Sequence, residues 1–506
     1  MSRPRRLAAA AAALLALLAL SAIRCGKPDT LLIEGALVAD GSGEALRAAD
    51  VRVKGDRIAQ IGSLEPERGE RVVEGDGLVL APGFIDMHNH SAGALSKDPI
   101  LSSQISQGIT TVVLGPDGDS PWPVGEYLAE RRASPPAVNV LTMAGHESVR
   151  DAVMGKDLQR AATSEETARM AALIEQAMAQ GAMGLSSGLE YDAGRLSETA
   201  ELIALAKAAA KHGGFYMTHI RDEGNKTLQA IAEAIEISEK SGAPLQISHI
   251  KLGTVAVWHK TGEVARMMSE AKARGVDATA DAYPYGAWHT NIEALIPSRK
   301  FEDRAVVRAD IESYGGASRL TISRCEKRPD FDGRDMADIA RTEKVAPEEL
   351  LEKIVAMGGA SVIGHSMDEP DVRAFLKEPW VMIGSDGRPG GSHPRGAGTY
   401  PRVLSKYVRE EKLLTLPEAI HKMTAMPAAR LKLADRGLVR EGYAADLVLF
   451  DPETVADKST FADPKALSVG IRMVLINGQE VWDGGKATGA RPGRVLTPLL
   501  ETKEAR

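Results

Sequence analysis

Residues 81–91 read APGFIDMHNHS, an apolar run that ends in two histidines two apart, His88 and His90. In an extended strand alternate side chains share a face, so these imidazoles point one way while Met87 and Asn89 point elsewhere. Two imidazoles on one face can reach one divalent ion. Taken alone, an H-x-H is equally consistent with two satisfied structural histidines, and the rest of the chain has to decide.

Working outward, apolar strand-like runs alternate with longer helical patterns: FIDMH, TTVVLG, VNVLTMAG, AMGLSSG, GFYMTH, LQISH, VDATADAY and WVMIGSD. The segments between them, such as Glu165 to Gln180 and Glu198 to His212, are rich in alanine with helical spacing and few breakers. Eight β/α units predict an α/β fold of the (β/α)8 TIM-barrel type, whose active site gathers at the C-terminal ends of the strands. The stretch from about 287 to 379, between the seventh and eighth runs, is too long for one crossover helix and predicts an insertion or lid.

Those strand ends carry His88 and His90 on the first, Asp117 after the second, His219 on the fifth, His249 on the sixth and Asp386 on the eighth. Four histidines and two carboxylates on one face of a barrel form a donor set for zinc or a similar divalent ion. Structural histidines seldom choose strand ends so consistently, which favours a metal centre. Asp119, two residues past Asp117, is the competing ligand.

The ends of the chain differ from its middle. Short β-type runs fill the part from Thr30 to Leu80 and return in ADLVLF and GIRMVLINGQEVW. Together they predict a small β-sandwich divided by the sequence, with 28–80 as its first part and 437–498 as its second, around a barrel over 81–436. Residues 1–24, a basic start followed by LAAAAAALLALLALSAI, read as a secretory signal peptide. This implies a periplasmic or secreted protein with no stable membrane insertion once the leader is removed. Cys25 hints weakly at lipoprotein processing, and Arg5-Arg6 hints at a twin-arginine exporter. A net charge of -7 over 506 residues, with no basic stripe, argues against nucleic-acid partners. Two cysteines, Cys25 and Cys325, exclude a disulfide framework.

In long phrases from Leu32 to Pro498 the chain resembles the amidohydrolase superfamily, and within it the D-aminoacylases, or N-acyl-D-amino-acid deacylases. These phrases are APGFIDMHNHS, SQGITTVVLG, GLSSGLEYDAGR, GGFYMTHIRDEG, LQISHIK, TADAYPY, WVMIGSDG, HPRGAGTYPRVL, GYAADLVLFDP and ARPGRVL. The resemblance implies that His219 and His249 hold a tight β-site metal, and that His88, His90 and Asp386 form the α-site. Better-known members read GNCG and use the cysteine as a ligand, whereas this chain reads Gly115-Pro116-Asp117-Gly118. A carboxylate can bridge two ions, so zinc is still expected, with stronger α-site occupancy and easier exchange for manganese or cobalt. The fourth strand lacks the lysine that is carboxylated in the hydantoinase, dihydroorotase and urease branch.

The implied activity is metal-dependent hydrolysis of the amide of N-acyl-D-amino acids, with Asp386 as general base and acid. Lys251 and Arg395 are implied to hold the substrate carboxylate, Tyr283 to add a hydroxyl to it, and Tyr191 to face the developing oxyanion. His289 would shape the side-chain pocket, and His146 could line it. His212 fits a helix end, and His259, His365 and His421 are given no role. Two alternatives stay open: a dipeptidase or amidase for peptides with a C-terminal D-residue, and a non-catalytic binding protein on the same fold.

Overall fold

The computed structural model describes residues 30–497, so the expected leader and Cys25 lie outside the described residues. All eight expected runs are strands that lie parallel around a barrel: Phe84–Asp86, Ile109–Leu114, Asn139–Thr142 continuing in Ala144–Gly145, Gly184–Gly188, Phe215–His219, Leu245–Ile247, Ala278–Ala282 and Val381–Ile383. Helices cover their outer faces, so nearly every strand residue is buried, and strands such as Ile109–Leu114 and Val381–Ile383 read as largely apolar runs rather than alternating ones. The helix Ser164–Gln180 starts on a capping box between Thr163 and Glu166 and stops at Gly181, whose φ of 113° suits only glycine.

The barrel closes between its last and first strands. Asn89 bridges Gly387 in parallel, Asp386 N donates to His88 O at 2.9 Å, and Ser385 donates from N and Oγ to the two oxygens of buried Asp86. Closure therefore places the H-x-H segment directly beside Asp386.

The two chain ends combine as expected, through Val79–Pro82 pairing antiparallel with Leu447–Phe450. Hydrogen bonds run unbroken through nine strands, so the layers are one folded sheet rather than two separately bonded ones. Thr30–Val38 joins them: its first half pairs with Arg71–Glu74 and its second with Val79–Leu80 on the same edge. A register shift between Ile33 and Ala36 marks the change, at Gly35 with φ 72°.

The insertion after the seventh strand has its own antiparallel sheet, with Ser361–Gly364 between Trp288–Asn291 and Leu320–Arg324. It also has its own core, which includes Ile292, Leu295, Phe331 and Leu351. It is shorter than the sequence suggested. The helix Glu369–Lys377 buries Val372, Phe375 and Leu376 in the barrel core and belongs to the last β/α unit. Among the described residues no helix is long and apolar enough to cross a membrane.

Candidate metal centre and substrate cavity

His88 and His90 lie just past the end of the strand Phe84–Asp86 rather than on it, yet they still face one way, while Asn89 turns aside to donate to Asp86 and Gln104. His88 Nε2 stands 3.2 Å from His90 Nε2, 3.2 Å from Asp117 Oδ2 and 3.6 Å from Asp386 Oδ1. His90 Nε2 lies 3.4 Å from Asp117 Oδ2 and 3.2 Å from Asp386 Oδ1. Four donors about 2.1 Å from a tetrahedral ion are separated by about 3.4 Å, so these spacings already match a coordination shell. A second group adjoins it, with His219 Nδ1 3.1 Å from His249 Nε2. Asp117 Oδ2 also reaches His249 Nε2 at 3.5 Å, so one carboxylate faces both groups. Its Oδ1 is buried without a hydrogen-bond partner, which leaves a donor free for an ion. The donor set fits a divalent metal of zinc's type.

Three donor residues hold left-handed backbone: Asp117 at φ 57°, His249 at 32° and Asp386 at 48°. Such strain persists only where the surroundings impose it. The Asp117 loop is wedged between glycines that leave it room: a Cβ at Gly145 would lie 2.2 Å from Gly118 O, and one at Gly188 2.2 Å from Asp117 O. His249 N donates to Asp281 Oδ1 at 2.9 Å.

A ring of carboxylates orients the imidazoles from behind. Glu190 Oε2 lies 2.9 Å from His219 Nε2, and Glu223 Oε1 lies 3.0 Å from His249 Nδ1. The far nitrogens are thus engaged and the near ones turned toward the centre. Burial would raise Asp386, but Arg395, His249 and His88 override it and hold the carboxyl well below its usual range. Asp117 is held low in the same way, by His88 and His249 against burial.

A cavity of about 910 Å³ opens above these groups, a size suited to a small ligand. Arg395 Nη1 bonds Asp386 Oδ2 at 2.6 Å, and Lys251 Nζ bonds Glu223 Oε1 at 2.6 Å. Both cations lie over the Tyr283 ring, at 4.8 and 5.8 Å from its centroid. Tyr283 therefore contributes its face, while its hydroxyl turns to Met367 Sδ at 3.8 Å. Tyr191 OH sits 3.3 Å from His219 Nδ1. His289, on the insertion, bonds Ser323 Oγ at 3.0 Å, and burial with Arg395 and Arg388 pushes its pKa down to about 3. Asp119 lines the cavity wall, and it is Asp117 that faces the rings.

His146 does not line the cavity. It is buried against Glu201 at 2.8 Å, where Arg150 also bonds that carboxylate, because its helix turns the ring toward the packed barrel wall. His212 is the C-cap of Thr199–Lys211. His421 bonds Gly41 O, His365 packs on Phe461, and His259 lies on the exposed surface. The sequence reading assigned no role to Glu190, Glu223, Asp281 or His393. The first three sit inside GLEY, HIRDEG and TADAY, at or just past strand ends, and that position was the available signal. His393 accepts from Arg395 N at 3.1 Å and bonds Ala287 O at 3.0 Å, tying the arginine loop to the start of the insertion.

The barrel, its two-part companion sheet and this donor set define a metal-dependent hydrolase centre, and the amidohydrolase family model matches residues 71–482. The chain belongs to the amidohydrolase family. A D-aminoacylase of Alcaligenes xylosoxydans xylosoxydans is 40% identical over 93% of this chain and 98% of its own length. A D-aminoacylase crystal structure matches with a TM-score of 0.84 at 38% identity, covering 92% of this chain and 99% of that one. An N-acyl-D-glutamate deacylase from Bordetella bronchiseptica, complexed with zinc and a phosphonate that mimics the tetrahedral intermediate, matches with a TM-score of 0.83 at 35% identity, covering 92% and 99%.

Proposed function

We propose that the chain hydrolyses N-acyl-D-amino acids to a carboxylate and a free D-amino acid, using zinc or a similar divalent ion. The observation that carries this is the donor shell of His88, His90, Asp117 and Asp386, spaced at 3.2 to 3.6 Å on the floor of the cavity and flanked by Arg395. The relatives supply the substrate class, since they are D-aminoacylases and an N-acyl-D-glutamate deacylase.

A divalent ion held there would lower the pKa of a water toward neutrality and polarise the scissile carbonyl. Asp386 takes the proton of the attacking water and delivers it to the departing amine. In the resting site Arg395 weakens Asp386 as a base. A substrate carboxylate that engages Arg395 draws it off Oδ2, so substrate binding itself raises the basicity of Asp386. Tyr191 OH, 3.3 Å from His219 Nδ1, supports a role as donor to the oxyanion. Lys251 adds a point charge for the carboxylate, and the Tyr283 ring holds both cations in place. Asp117, whose Oδ2 faces both donor groups, would help to hold one or two ions there.

A second reading, hydrolysis of peptides that end in a D-residue, has one observation in its favour. Asp119 and Glu147 line the cavity, and burial, with Asp119 and Asp151, pushes Glu147 up to about 7. This acidic wall suits the free amine of an aminoacyl group. The leader supports export, which sequencing the mature N-terminus from a periplasmic fraction would test. Zinc-loaded protein should turn over N-acetyl-D-amino acids and leave their L-enantiomers intact, with L-X-D-Y dipeptides assayed alongside. No turnover of either class would refute the proposal. Asp386→Asn should lose activity at least about 100-fold while the protein still binds metal.

A further inference from the structure

The loop after the fourth barrel strand carries Tyr191, and both of its neighbours in sequence are gripped by one side chain from the inserted subdomain. Arg299 donates from Nη2 to Glu190 O at 2.9 Å and from Nε to Asp192 Oδ1 at 2.8 Å, while Nη1 returns to Ile296 O at 3.0 Å. Its side chain is 11% exposed, whereas that of Asp192 is 61% exposed. The backbone of Arg299 is itself left-handed, with φ 58°, a conformation that non-glycine residues keep only where surrounding contacts impose it. The rigid guanidinium fork can span both flanks of Tyr191 at once, and a lysine ammonium cannot.

The loop is also held at Leu189, whose N donates to His219 O, and at the Glu190 carboxylate, which meets His219 and Glu223 N, but Arg299 grips both residues that flank Tyr191. The Tyr191 hydroxyl is 3.3 Å from His219 Nδ1, and its ring is tilted by 45° at 4.6 Å from the His219 ring. The loop turns back on Tyr191 O, which accepts from Gly194 N and Arg195 N, so the position of the loop sets where the hydroxyl stands.

We infer that Arg299 is a positioning residue for the reaction: by clamping Glu190 and Asp192 it places the Tyr191 hydroxyl at the developing oxyanion. The barrel supplies the donor and the insertion sets its place. This rests on the role given to Tyr191 under the proposed function. A donor aimed at the transition state loses effect when displaced, and about 1 Å of misplacement costs about 100-fold. Removing an oxyanion donor costs about 100- to 1,000-fold.

The test is a double-mutant cycle in zinc-loaded protein with Arg299→Met, Tyr191→Phe and the pair together. kcat and KM are measured for an N-acetyl-D-amino acid, with the inhibition constant of a phosphonate analogue, the metal content and the melting temperature. Arg299→Met should lower kcat about 10- to 100-fold and weaken the phosphonate in parallel, with KM and metal content nearly unchanged. The double variant should be no slower than Tyr191→Phe. Arg299→Lys should not restore the rate. Asp192→Ala alters a side chain that is 61% exposed and whose other charged neighbour is Arg195, at 3.6 Å, so it tests the clamp, with Arg195→Met as its control, if Arg299→Met does not fold. It should lower kcat severalfold, and an unchanged kcat would overturn the inference. Losses that multiply in the double variant, or an Arg299→Met effect confined to the melting temperature, would also overturn it while the proposed function stands. A wild type that turned over no substrate, or a Tyr191→Phe as fast as wild type, would instead remove the reading beneath it and the inference with it.

Discussion

Stripping the metal should leave protons in its place. Burial and Lys251 both oppose charge on the His249 ring, yet Glu223, Asp117 and Asp386 outweigh them and push its pKa up to about 10. For His90, burial is overcome by hydrogen bonds to Asp117 and Asp386, and its pKa rises to about 9. A metal takes neutral imidazole, so at about pH 7.5 loading must expel about two protons. The rings' share of the logarithm of apparent affinity should then climb by about two per pH unit near neutrality, by about one between roughly pH 9 and 10, and level off above that, with ionisation of a metal-bound water adding to it. Because both pKa values are raised on folding, the protons stabilise the metal-free fold fully below the unfolded value of about 6.5. That contribution is lost as pH rises through about 9 and then about 10. At about 1.4 kcal/mol per tenfold in proton affinity, the buried His249 ring accounts for at most about 5 kcal/mol. His90, whose side chain is 35% exposed, contributes much less because water screens it. Zinc titrated calorimetrically into chelated protein at about pH 7.5, in two buffers of unlike ionisation heat, counts the protons. Urea unfolding at about pH 7 and pH 10 should show a loss for chelated protein and none for zinc-loaded protein. Proton release near zero would refute the reasoning, because neutral rings would then face the carboxylates before any metal arrived.

Three further outcomes follow from single contacts. Asp117→Asn removes the charge that faces both donor groups and should weaken metal binding at least about tenfold, read by competition with a chelating dye; unchanged affinity would remove Asp117 from the shell. Glu201→Leu strands Arg150, whose side chain is fully buried, and should cost about 3 to 5 kcal/mol in urea unfolding. His393→Phe keeps the ring packing against Tyr285 and Phe461 but deletes both hydrogen bonds. It should raise KM about tenfold through the Arg395 loop with a smaller change in kcat, and a pure kcat effect would contradict the positioning argument.

The barrel was legible because most of its strands are buried on both faces, which writes largely apolar runs into the sequence, and because alanine-rich segments separate those runs. The donor positions were legible for a related reason: a parallel barrel brings every strand's C-terminal end to one face, so a histidine or aspartate there has few other places to be. The end of the insertion was misjudged at Glu369–Lys377, since that helix differs from the insertion's own helices only in what it packs against. His146 was misread because a strand-end position says nothing about which way the following helix turns its ring.

By itself the sequence determined the eight β/α units and the pairing of the two chain ends, and it singled out His88, His90, Asp117, His219, His249 and Asp386 as the candidate donors that the fold brings together. Those features are written in local periodicity, and barrel topology converts them into positions. Only the tertiary structure decided that one oxygen of Asp117 faces both donor groups, that Glu190 and Glu223 turn the imidazoles, and that Arg395 restrains Asp386. It alone brought Arg299 to Glu190, 109 residues away. Such contacts join loops whose course is set by chain closure and by glycines such as Gly145 and Gly188, where neighbouring backbone leaves no room for a side chain, and no local pattern encodes them.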